Sequence, residues 1–279
     1  RTCRVGLFPA LEPCKLVRVR HSPPGERALG SALSIAAAIP VLVLGALTCG
    51  LLMAALHAAR GAWSTLLPPA VGTLSVALIA LGVAVPLGLL AATYLSELAT
   101  PLERRVLRPL LTAFASIPGV AFGWIAVVIV SPVLVRVVPP LAAQPLVAPG
   151  LVLGAMMIPL VASLAQDALA AVPRALREAG WALGISRLHV IVRVVWPAAR
   201  AGMAAAVLLA ALRAVGETMI VWVAAGQPAT LTTTIAERAL DARTAGQGEV
   251  AAAAVLLVAL TIALDLAAHR WVRRVRSWA

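Results

Sequence analysis

Six long apolar runs, at about residues 32–57, 69–93, 109–131, 146–166, 201–225 and 250–269, dominate the chain. Each can cross the roughly 30 Å hydrocarbon core of a bilayer as a helix of about 20 residues. Inside lipid, only helices and closed barrels satisfy their own backbone polar groups. Ala, Leu and Val fill the runs and aromatics make up only 4% of the sequence, so the short alternating segments and aromatic girdles of a barrel are missing. The expected fold class is an all-α polytopic membrane protein with six transmembrane helices. A charged content of 12%, against about 25% in a soluble domain, agrees.

The net charge of +12 raises nucleic acid as a partner, but the placement of the charges argues otherwise. Outside the runs, eighteen Lys and Arg fall in the alternate segments that start with the N-terminal tail, and four fall in the others. This positive-inside pattern puts both termini in the cytoplasm, with membrane lipid as the surrounding partner and no nucleic acid. Residues 1–31 then form a basic cytoplasmic tail, 32–57 the first transmembrane helix, 69–271 the core and 272–279 a second basic tail. The first apolar run is too long for the h-region of a cleaved signal peptide, about 7–15 residues. Cys3, Cys14 and Cys49 show no CxxC spacing and the four histidines are scattered, so no disulfide framework and no metal site are expected. Pro86 and Pro118 lie inside the second and third runs, where proline kinks helices.

Between the fourth and fifth runs lies a segment, 167–200, with clear local signals. Pro173 suits a helix first turn, Gly184 a C′ position and Ser186 an N-cap, and Pro197 is expected to end the second helix. Leu176, Gly180 and Leu183 share one face of the first helix, with Arg174, Arg177 and Glu178 elsewhere. On the residues alone, an interfacial amphipathic helix and a DNA-binding helix-turn-helix both stay open.

The fifth run carries Arg213 and Glu217 in "LLAALRAVGETMIVW". A charge at a membrane helix centre costs about 2.5–3.5 kcal/mol on insertion scales. One reading is an intrahelical ion pair at i, i+4, although Arg before Glu is the weaker order. The other is a place on a transport path.

Two motifs add a resemblance. "EAGWALGISRLHVIVRVVWP" resembles the EAA loop of the membrane subunits of ABC importers. Glu178 and Ala179 fit, Gly180 replaces the second Ala and Gly184 fits; Val194, Trp196 and Pro197 stand where Ile, Leu and Pro are expected. "LRAVGETMIVWVAAGQPATLTTTIAER" closely resembles the Arg-Ala-x-Gly-Glu-Thr segment of phosphate-specific ABC importer permeases. Met219 after the Thr, with the later "TLTTTIAE", resembles the C-type rather than the A-type permease of that pair. The stretches at 72–99, 110–124 and 166–184 look alike too, so the resemblance covers residues 72 to about 271.

The resemblance implies a type I ABC importer permease (MetI-like) fold in the cytoplasmic (inner) membrane. It implies a coupling loop, with Arg177, Glu178, Ala179, Gly180, Leu183 and Gly184, that inserts into an ATPase subunit. It also implies a phosphate path that uses Arg213, Glu217 and Thr218. The implied partners are a second phosphate permease subunit, two copies of an ATP-binding subunit and an extracytoplasmic phosphate-binding protein. Lys15 is the sole lysine, so no G-x-x-x-x-G-K-[ST] phosphate loop exists. The chain is therefore expected to be no enzyme and to bind no cofactor, with ATP and Mg used by the partner ATPase.

Three departures stand out: a short external loop at 58–68, Gly119 where Ser is usual, and Asp265 where Asn is usual, its expected role an interhelical hydrogen bond. The rival readings are a permease for sulfate or molybdate, an ion-coupled secondary transporter, which would show internal repeats and no coupling loop, and a membrane enzyme, for which no catalytic pairing is found.

Overall fold

Prolines stand both at helix starts, as Pro101 does, and inside helices, as Pro86 and Pro159 do. The computed structural model describes residues 46, 49–50, 53, 63–142, 144–225, 229–240 and 247–276. The expected first span, apart from four isolated positions, and the tail at 1–31 lie outside the described residues. Every described element is helical, and Cys49–Ala279 forms one compact unit.

Helix α1 (Trp63–Thr93) ends in a π turn, Tyr94–Leu98, and keeps Pro86 inside it. Helix α2 (Pro101–Ala115) opens with a capping box. The Thr100 N–H donates to Glu103 Oε2 at 2.7 Å and the Glu103 N–H to Thr100 Oγ1 at 3.3 Å, so two otherwise unpaired backbone donors are satisfied. Its side chains include Arg104, Arg105 and Arg108, and none is buried. Helix α3 spans Gly119–Val137. The apolar run 109–131 is thus divided at Ser116–Pro118, and the crossing helix starts later than the hydropathy suggests. Pro118 is the N-cap of α3 and not a kink within a span.

A short turn, α4 (Pro139–Ala142), leads to α5 (Val147–Ala170), the most deeply buried of the long helices. Then come α6 (Arg174–Ala182), α7 (Arg187–Val215), α8 (Met219–Ala225), α9 (Leu231–Leu240) and α10 (Gln247–Arg276). Among the described residues, five helices are long and apolar enough to cross a membrane: Thr65–Leu98, α3, α5, α7 and the Val250–Arg270 part of α10. The chain is a multi-pass membrane protein.

The expectation that Pro197 ends a helix is overturned. Proline lacks an N–H and its ring clashes with the carbonyl four residues back. A π turn at Ile191–Val195 absorbs this, and α7 continues through Pro197. The same device recurs in α3, where a π turn at Ala126–Val130 precedes Pro132.

Helices α1, α5 and α7 share the main core, which contains Val76, Ala80, Leu153, Met157, Ala210 and Ala214. Apolar lipid gives such helices no hydrophobic reason to associate, so close van der Waals approach must hold them. Gly154 of α5 provides it: a Cβ there would sit 2.8 Å from the Ala80 carbonyl of α1.

Candidate functional site

Two helix breaks face each other at the ends of the apolar helices α3 and α7. The α2–α3 break at Ser116–Pro118 and the α7–α8 break at Gly216–Thr218 lie side by side. A Cβ on Gly119 would sit 3.3 Å from Glu217 Oε1 and 3.8 Å from Ile220 Cγ1. The Gly where Ser is usual therefore gives the Glu217 carboxylate room at the start of α3. Non-helical backbone at membrane depth is tolerated where protein or a water-filled cavity supplies partners, and a threonine cluster does so here. Thr232 Oγ1 donates to the Glu217 carbonyl at 3.1 Å. The Leu231 N–H donates to Thr73 Oγ1 at 2.9 Å, which fastens the start of α9 to α1. Thr230, Thr232, Thr233 and Thr234 are all buried.

Arg213 is in the last turn of α7. The helix stops at Val215, so Glu217 is not on it, and no ion pair joins the two. That corrects the intrahelical reading of the charges. Arg213 instead lines a cavity of about 360 Å³ together with Arg108 and Thr112 of α2 and Ser163, Gln166 and Asp167 of α5. Arg108 is fixed by Gln166, whose side-chain oxygen accepts from Nη2 at 2.7 Å and Nε at 3.1 Å in the amide orientation that pairs donors with acceptors. Thr218 is half-buried, and its hydroxyl reaches only the Gly216 carbonyl, at 3.5 Å.

One end of the bundle gathers arginines on α2, α6 and the start of α7. Arg177 of α6 is clamped there: Nη2 donates to Glu97 Oε1 at 2.7 Å and Nε to Glu97 Oε2 at 3.1 Å. Its remaining donors reach the carbonyls of Val172 at 2.6 Å and Leu169 at 2.8 Å. All these acceptors lie on α1's terminal π turn or at the end of α5, so Arg177 fixes where α6 leaves the bundle.

Helix α6 keeps the bounds that its sequence signals set, with Pro173 as N-cap. Gly184 has a φ of +72°, the left-handed conformation that ends a helix, which only glycine adopts without strain. Gly180 turns inward, where a Cβ would approach Val190 Cγ2 to 2.9 Å. The expected stripe is thus split, because Gly180 is buried while Leu176 and Leu183 are exposed. Trp181, Ile185 and Leu188 join them on the outer surface, and Glu178 and Ala179 are exposed beside them.

The structure brings Arg213, Glu217 and Thr218 to one helix break, and places Arg177, Glu178, Ala179, Gly180, Leu183 and Gly184 on or beside α6. Sequence reasoning missed Arg108, Thr112, Ser163, Gln166 and Asp167. A usable signal existed on α5, where Ser163, Gln166 and Asp167 at i, i+3, i+4 make one polar face on an apolar helix. Among the described residues Asp265 makes no interhelical bond; it lies 3.3 Å from His269 Nδ1 on its own helix.

The model of the family described as binding-protein-dependent transport system inner membrane component matches residues 84–277. The chain belongs to this family. A probable ABC transporter permease from Bacillus subtilis, YqgH, is 32% identical over 160 residues, 57% of this chain and 52% of its own. A phosphate transport system permease protein PstC from Mesorhizobium japonicum is 31% identical over 61% of this chain and 58% of its own. A phosphate transport system permease protein PstA 1 from Mycobacterium tuberculosis is 35% identical over 56% and 49%. The chain spans about half the length of these relatives.

Among solved structures, a bacterial alginate ABC transporter in complex with a periplasmic protein matches at a TM-score of 0.71 and 17% identity, covering 90% of this chain and 96% of that one. An inward-facing MetNI methionine ABC transporter matches at 0.59 and 22% identity, covering 74% and 91%. These establish the importer-permease fold for a member of the inner-membrane component family.

Proposed function

We propose that this chain is the transmembrane permease subunit of an ATP-driven importer and forms, with a second permease, the path for inorganic phosphate. The observation that carries the reading is Arg213: a guanidinium opening onto a cavity between α2, α5 and α7, beside two facing helix breaks, in a chain of this family. A phosphate ion entering the bilayer loses hydration, and a guanidinium offers it paired donors. Arg108, Thr112 and Ser163 line the same cavity, and Asp167 adds an opposing charge that weakens retention. Glu217 and Thr218 stand at the α7–α8 break just beyond Arg213 and outside the cavity lining, where they are placed further along the path. Two of the relatives described above are named as phosphate permeases, which favours phosphate over sulfate or molybdate.

The arginine-rich end faces the cytoplasm by the positive-inside rule, with both termini on that side. The apolar surface of Leu176, Trp181, Leu183, Ile185 and Leu188 then docks on an ATP-hydrolysing subunit, present in two copies and using ATP and Mg. Arg177 and Glu97 transmit its movement to α1. Phosphate arrives from an extracytoplasmic binding protein. The chain itself hydrolyses nothing and holds no cofactor. The test is ATP-dependent uptake of labelled phosphate into vesicles holding the assembled subunits, with sulfate as competitor. Uptake that sulfate leaves unchanged supports the reading, and competition by sulfate moves the cargo to another oxyanion.

A further inference from the structure

A second cavity, of about 320 Å³, lies at the arginine-rich end between α2, the end of α5 and α6. It is lined by Arg104, Arg108, Arg174, Arg177 and Arg187 against only two carboxylates, Glu97 and Glu178. The ion-pair geometry makes the imbalance larger. Glu97 is taken up by Arg177, its bidentate partner, and Glu178 lies within ion-pair distance of none of the arginines.

The other four guanidiniums have only neutral partners or none. Arg104 Nη2 donates to the Ser96 carbonyl at 2.6 Å, while its Nε is buried with no acceptor. Arg187 donates to the Glu97 backbone carbonyl, and Arg108 to the Gln166 amide. Arg174 has no hydrogen-bond or ion-pair partner among the described residues. Buried donors in native proteins are almost always paired, so an orphaned Nε in a cationic cleft marks a missing acceptor.

From this we infer an oxyanion-binding site in the cleft, one that receives a tetrahedral phosphate group held by Arg104, Arg108, Arg174 and Arg187. Arg108 and Gln166 line both this cleft and the Arg213 cavity, so the two are successive stations at the inner end of one route. The route rests on the reading of Arg213 given above; the binding site does not. The phosphate group has two sources, a free ion leaving the path or the phosphomonoester headgroup of a lipid. Because Arg174, Glu178 and Trp181 belong to α6, an occupied cleft also ties the docking element to the bundle.

The test is equilibrium binding of radiolabelled inorganic phosphate to the assembled transporter, without nucleotide or binding protein. Nanodiscs of phosphatidylcholine alone are compared with nanodiscs that also contain phosphatidic acid. Arg174→Gln removes a side chain with no structural bond, and Arg104→Gln removes the orphaned donor. Each is expected to weaken one saturable binding component about ten-fold, the loss of a charge-assisted hydrogen bond. That component is expected to survive Arg213→Ala, which separates the cleft from the transmembrane site and from any failure of the uptake assay. Displacement of phosphate by phosphatidic acid in wild type, but not in Arg174→Gln, assigns the site to the headgroup. Phosphate binding unchanged by phosphatidic acid assigns it to the free ion. Absence of any component that Arg174→Gln and Arg104→Gln diminish, in either lipid, overturns the inference.

Discussion

Arg177 and Glu97, on α6 and on the last turn of α1, form a bidentate ion pair whose side chains are only 12% and 8% exposed. The π turn at Tyr94–Leu98 turns Glu97 toward α6, and the two further bonds of Arg177 to α5-end carbonyls lock the geometry. Removing one partner of such a pair strands the other charge. Glu97→Ala is expected to cost about 3–5 kcal/mol, read as a drop in the thermal unfolding midpoint of the purified protein. A drop no larger than that of an exposed control such as Arg105→Ala would show that the clamp contributes little.

Gly180 packs on Val190, and a methyl group there would overlap Val190 Cγ2. Gly180→Ala, although it matches the usual motif residue, is expected to destabilise by about 1–3 kcal/mol as an overpacking change. Val190→Ala in the same chain should restore most of that loss. Thermal unfolding of the two single variants and the double variant checks the coupling; additive losses would contradict it.

Leu183 is 79% exposed at the end of α6. Leu183→Asp should change stability by no more than about 0.5 kcal/mol, as for surface substitutions generally. It is nevertheless expected to abolish co-purification of the ATPase subunit. Retained association would remove this residue from the docking surface.

Glu103 is partly exposed, and the Thr100 backbone N–H holds its carboxyl below the usual glutamate value, with the Thr100 side chain adding to the effect. A carboxyl depressed in the folded state adds stability that is complete above its unfolded pKa, about 4.3. That stability is lost as pH falls through the lower folded value. Wild type should therefore exceed Glu103→Gln in unfolding temperature at neutral pH, and the gap should close in acid. A gap that widens on acidification would have the wrong sign.

Much of this was readable from local pattern. Pro173, Gly184 and Ser186 marked the ends of α6 and the start of α7, because capping depends on residues a few positions apart. Of the six spans that hydropathy placed, five coincide with described helices, but the third and fifth were misplaced along the chain. Hydropathy cannot register that Pro118 starts a helix, or that α7 stops at Val215 and leaves Glu217 on non-helical backbone. Pro197 misled for the opposite reason, since the π turn that accommodates it has no strong local signature. The Arg177–Glu97 clamp, the shared cavity of Arg108 and Arg213, and the Thr73–Leu231 tie join residues distant in sequence, so only the packed fold exposes them. The first span, 32–57, lies outside the described residues.

Phosphate uptake by the Arg213→Ala variant tests the central claim most directly. Vesicles holding the assembled transporter, loaded with ATP on the side of the arginine-rich end, are compared for native protein and variant at equal assembly. Loss of a charge-assisted, bidentate contact predicts a fall of about 10–100-fold in uptake, with assembly and thermal stability unchanged. Uptake at the native rate would contradict the account and leave Arg213 a structural charge at the end of α7.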